Sequence, residues 1–76
     1  MSGERPETLQ DLLDLAGLTL LTLARRSKVD ERTIRLLRDG LVQKARSTTV
    51  SGLAKALKMD PSRVRAAIEA SRDAAQ

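Results

Sequence analysis

Apolar residues recur at offsets of three and four along nearly the whole chain and nowhere alternate for long, a pattern of helices that leaves no serious candidate for a strand. Leu9, Leu12, Leu13 and Ala16 form one stripe, which predicts a first helix from about Glu7 to Ala16. Pro6 suits its start, and Gly17 suits its close because glycine takes the left-handed conformation that ends a helix. Thr19 is a good N-cap for a second helix whose inward residues are Leu20, Leu23 and Ala24, the small Ala24 allowing another helix to cross closely. Ser27, Lys28 and Val29 make a turn. Asp30 then caps a third helix, with Glu31 in its positive first turn, Ile34 and Leu37 inward, and Asp39-Gly40 at its end. A fourth helix carries Val50, Leu53, Ala54 and Leu57 on one side. Asp60-Pro61, a cap followed by a proline at the first helical position, opens a fifth that presents Val64 and Ile68. The expectation is an all-α, compact five-helix domain over residues 7–70, with a flexible head over 1–6 and a fraying tail over 71–76.

Length limits what these helices can hide. A chain of 76 residues buries only about 60% of its unfolded surface. Leu13, Leu15, Leu41 and Val42 exceed what one such core holds with ease. Two readings follow. An exposed apolar patch of several hundred Å² marks an interface, through which two copies would pair; alternatively, Leu13 and Leu15 fill out a core that has no aromatic ring.

Charge is unevenly placed. Residues 1–17 carry four acids against Arg5, whereas residues 18–46 carry eight Lys or Arg against three acids, and the whole chain stands at +4. Basicity therefore gathers around the second and third helices, as expected of a surface that meets a polyanion, although the same charges also suit a solvated face. The chain has no cysteine for a disulfide or zinc thiolate, no histidine for metal ligation or near-neutral proton transfer, and no glycine-rich phosphate loop. No enzyme, metal or cofactor is expected. No apolar run approaches the roughly 20 residues that span a bilayer, and the first seven residues hold no signal-peptide core. The expected location is the cytoplasm.

Leu9 and Leu12, the Gly17-Leu18-Thr19 entry, Leu23-Ala24, Val29, Thr33-Ile34, Leu37, Gly40 and the Leu53-Ala54-Lys55-Ala56-Leu57 run together resemble the lambda-repressor-like helix-turn-helix family of the Cro/C1 type, the XRE family, over residues 9–68. The resemblance implies a five-helix domain in which helices two and three form the helix-turn-helix, the third enters the major groove of double-stranded DNA, and the protein acts as a homodimer on a near-palindromic operator. A small prokaryotic, phage or plasmid regulator of the repressor type is the implied function. It would sit on the nucleoid when bound. Leu20, Leu21 and Leu36 stand where the family carries polar residues. Those substitutions favour the alternative of a protein-interaction module in a replication, packaging or transcription complex, and they add Leu20 and Leu21 to Leu13, Leu15, Leu41 and Val42 as candidate interface residues.

The helical period independently selects an outward face. With Ile34 and Leu37 inward, Arg32, Arg35 and Leu36 fall on the opposite side of the third helix. An arginine fork binds guanine O6 and N7 together or grips phosphate, and a good bidentate base contact gives roughly 1–3 kcal/mol of discrimination. Arg32 is the first candidate for base reading and Arg35 the second, Leu36 suits a thymine methyl, and Glu31 matches a base-contacting position of the family. Arg38 lies nearer the inward edge, where it touches backbone or pairs with Asp39. The expected phosphate contacts are Thr19, Lys28, Arg38, Lys44, Arg46, Ser47 and Thr48, the last four from the loop that in the family follows the third helix.

Overall fold

The computed structural model describes residues 6–42 and 44–75, and among them the elements are five helices: α1 (Leu9–Ala16), α2 (Leu20–Ser27), α3 (Glu31–Arg38), α4 (Ser47–Leu57) and α5 (Pro61–Ala74). The all-α expectation holds. Except for Pro6, the expected flexible head lies outside the described residues.

Local chemistry explains where the helices begin and end. The first helix starts two residues later than Glu7, because Thr8 and Asp11 form a reciprocal cap: the Thr8 hydroxyl accepts from the Asp11 amide at 3.3 Å, and the Thr8 amide donates to the Asp11 carboxylate at 2.9 Å. Two orphan amides are satisfied at once, which Pro6 could not do. Gly17 closes α1 at φ 69°, and Thr19 caps α2 by accepting from the Thr22 amide at 3.1 Å. Ser27 then knits the turn, its hydroxyl donating to the Leu23 carbonyl at 2.6 Å and accepting from the Val29 amide at 3.2 Å. Asp30 occupies the N-cap position of α3 through its carbonyl, which accepts from the Ile34 amide, but its exposed carboxylate makes no capping bond. Asp60 caps α5 as expected, accepting from the Ser62 amide at 2.8 Å.

Leu9, Leu12, Leu13, Leu23, Ile34, Leu37, Leu53 and Val64 are fully buried at the centre, where α1 packs on α5, α3 and α4, and α2 packs on α3 and α4. Leu13 is thus a core residue and not part of an interface: it lies one helical turn beyond Leu9, and three neighbouring helices cover α1. Leu20 and Val42 are half-buried against the same core and keep only part of their side chains at the surface. Leu15, Leu21 and Leu41 remain in water.

The last helix departs most from expectation. It continues to Ala74, and Ser71 is buried, its hydroxyl donating to the Ala67 carbonyl and accepting from the Leu9 amide, both at 2.9 Å. A fraying tail from residue 71 is therefore replaced by a packed turn, because Ser71 supplies an acceptor to the first amide of α1. Gly40 completes the contact. It sits at φ 74°, and a β-carbon there would run into the Ser71 carbonyl and the Ala75 side chain.

Candidate nucleic-acid interface

The face of α3 turned away from Ile34 and Leu37 carries the residues singled out by the helical period. Arg32 is exposed and, among the described residues, enters no ion pair. Arg35 has half its side chain in water and donates from Nη2 to Glu31 Oε2 at 3.3 Å, one turn back along the helix. Exposed pairs of this spacing contribute only about 0.3–0.5 kcal/mol, so the guanidinium is easily recruited elsewhere. Leu36 is half-buried, so its side chain offers less surface than the two arginines. Arg38 pairs with Asp39, Nε to Oδ1 at 2.9 Å, and is the most committed of the three arginines on this helix.

Around this face the expected phosphate contacts fall into two groups. Thr19 stands apart, and its hydroxyl is already engaged, accepting from the Thr22 amide and donating to the Thr22 hydroxyl at 3.0 Å. Lys28, Lys44, Arg46, Ser47 and Thr48 are all exposed. Folding brings Thr48 and Thr49 of α4 against Lys28, Asp30 and Thr33 around one shallow groove, although twenty residues separate Lys28 from Thr48 in the chain. The close approach of α2 to α4 makes this possible: a β-carbon on Gly52 would lie 3.2 Å from the Ser27 carbonyl. A second groove joins Thr33 and Thr49 to Lys44 and Arg46.

The electrostatics of this edge follow from composition as much as from geometry. Residues 40–59 contain no Asp or Glu, so the loop before α4 and the whole of α4 contribute only positive charge. Arg46 occupies the N-cap position of α4 without a side-chain capping bond. Among the described residues, Asp30, Glu31 and Asp39 lie on or beside α3, the last two paired to arginines, and Glu69 shares a hollow with Lys44 and Arg65. Such an edge attracts anions and offers them forked donors. With neither histidine nor cysteine in the chain, and no gathering of three acidic side chains among the described residues, it presents no ligand set for a metal. No helix among the described residues is long and apolar enough to cross a membrane.

No family model matches this chain, and no curated protein or solved structure matches it either.

Proposed function

We propose that this chain is a small DNA-binding regulator of the repressor type, in which α2 and α3 act as a helix-turn-helix and α3 is laid into the major groove of duplex DNA. The resemblance to the lambda-repressor-like family suggests that docking, and one observation supports it above all: Arg32 and Arg35 project from the side of α3 opposite its buried residues, with a carboxylate-free cationic loop beside them. Arg32 reads a base edge, Arg35 a base or a phosphate, and Glu31 raises selectivity at some cost in general affinity. Lys28, Lys44, Arg46, Ser47 and Thr48 hold the backbone and fix the register. Two copies on a near-palindromic site, with half-sites about 34 Å apart, supply the specificity that one short helix lacks. The working location is the cytoplasm, on the nucleoid, and the function is binding alone, with no cofactor.

Salt dependence tests this reading. With four to six phosphates neutralised, log affinity for mixed-sequence duplex DNA falls against log salt with a slope of about −4 to −5, so that binding weakens roughly 250- to 1,000-fold between about 50 and 200 mM salt. Absence of binding at the lower salt would refute the proposal. That outcome would favour a second reading, a helical module that docks another protein, for which Leu15, Leu21 and Leu41 speak: they are 64%, 47% and 68% exposed on a chain this small.

A further inference from the structure

The grooves beside α3 share walls, and the shared residues lead beyond the face considered so far. The groove of Lys28, Thr33, Thr48 and Thr49 meets the next at Thr33 and Thr49, and that groove in turn meets a third at Lys44 and Arg46. The third groove adds Ser47 and, from α5, Arg65. One trench therefore runs from the α2–α3 turn to the second turn of α5, bearing Lys28 at one end, Lys44 and Arg46 between, and Arg65 at the other. Asp30 lines the end far from Arg65, and Glu69 flanks the other end, sharing neighbouring hollows with Lys44, Ser47 and Arg65.

None of the four cations enters an ion pair among the described residues. For Arg65 this is informative, because its neighbour two residues earlier behaves oppositely: Arg63 is held in a forked grip on Glu7, with bonds of 2.9 and 2.7 Å. Glu69 lines the adjacent hollows with Arg65 and lies one helical turn away, yet makes no pair with it. Lys44, Arg46 and Arg65 line one groove that has no carboxylate among its own lining residues, a set of donors suited to a phosphate group. An arginine fork carried on a helix is well suited to that, since less side-chain freedom is lost per bond formed.

We infer that Arg65 is a backbone contact for nucleic acid: the strand bordering the groove read by α3 follows the trench, and a phosphate at its end is taken jointly by Lys44, Arg46 and Arg65. This rests on the DNA-binding reading and extends its footprint to α5.

The test uses the full chain and a mixed-sequence duplex titrated between about 50 and 200 mM salt. Arg65→Gln makes the log–log slope shallower by about 0.9 and weakens binding about eightfold near 0.1 M salt, the loss of one phosphate contact. Lys58→Asn is the control. It removes the same charge at the far end of the 11-residue α4, about 16 Å along the helix axis from Ser47, and asparagine tolerates the left-handed backbone there. Its slope stays at the wild-type value. A slope for Arg65→Gln equal to that of wild type, or a reduction shared by Lys58→Asn, overturns the inference while leaving the DNA-binding reading intact. Failure of the wild type to bind at all overturns both.

Discussion

The side of the molecule where α1 meets α5 and the side where α3 meets the loop before α4 treat their polar groups in opposite ways. On the first, Thr8 and Asp60 cap both helices, Ser71 satisfies the Leu9 amide, and Glu7 and Arg63 grip each other across the helix pair. On the second, neither α3 nor α4 has a side-chain cap, and Arg32, Lys44 and Arg46 have no carboxylate partner among the described residues. The first kind of surface ties distant parts of the chain together, whereas on the second the ion pairs are local, Arg35 to Glu31 and Arg38 to Asp39, and the other cations are left over. Unpaired cations add little to folding, and under the proposed function they are the groups that meet DNA.

If this contrast is correct, substitutions on the packed side change stability and those on the cationic side change binding. The largest effect is expected at Gly40. Gly40→Ala combines left-handed strain with a collision against Ser71 and Ala75, and should lower the unfolding free energy by about 2–4 kcal/mol in urea titrations. A loss below about 1 kcal/mol would mean that α5 does not press on the end of α3 as described. Ser71→Ala comes next, with a loss of about 1–3 kcal/mol, because the Leu9 amide is left without an acceptor in a buried place. Hydrogen exchange at Leu9 should quicken in that variant, and an unchanged rate would argue against the bond.

The two left-handed lysines sharpen the comparison. Lys28 and Lys58 end α2 and α4 at φ 61° and 59°, so glycine at either site relieves the same strain and should stabilise by about 0.5–1 kcal/mol. Lys28→Gly should also weaken duplex binding, since Lys28 lies in the trench. Lys58→Gly should not. Equal effects on binding would erase the distinction between the two sides.

The smallest effect concerns acid. The hydrogen bond from Arg63, aided by its charge, holds the Glu7 carboxyl below the ordinary glutamate value, while slight burial and Asp11 oppose the shift. Because the folded value is the lower one, the pair's contribution is fully present above the unfolded glutamate pKa and is lost as pH falls through the folded value. The melting temperatures of wild type and Arg63→Gln should therefore differ slightly near neutral pH and converge in strong acid, below the glutamate range. A gap that persisted there would assign the effect to packing of the Arg63 stem.

Much of this architecture was legible in the pattern of apolar residues, and what was not has identifiable causes. Ile34 and Leu37 alone place Arg32 and Arg35 outward, because a helix ties every side chain to one rotation. Two start signals competed at α1, and the cap of Thr8 with Asp11 prevails over Pro6 because it satisfies two amides where proline only tolerates the start. Leu13 and Leu15 differ by two residues and end in opposite environments. Their composition shows a surplus of leucine, but which one is covered depends on three neighbouring helices. Ser71 reads as a polar terminal residue until α1 is laid beside it. Arg65 is hidden for the same reason: nothing within α5 records that the loop at Lys44 and Arg46 folds against it.

Selection of bound sites from a random duplex pool, run in parallel for wild type and Arg32→Ala, is the most direct test of the proposed reading face. The expected result is a pair of half-sites for wild type, and for the variant a relaxed preference at one position in each half-site, with a cost of about 1–3 kcal/mol there and the remaining positions unchanged. A wild-type pool with no sequence preference, or a variant whose binding falls equally on every sequence, would contradict the claim that this face of α3 reads bases.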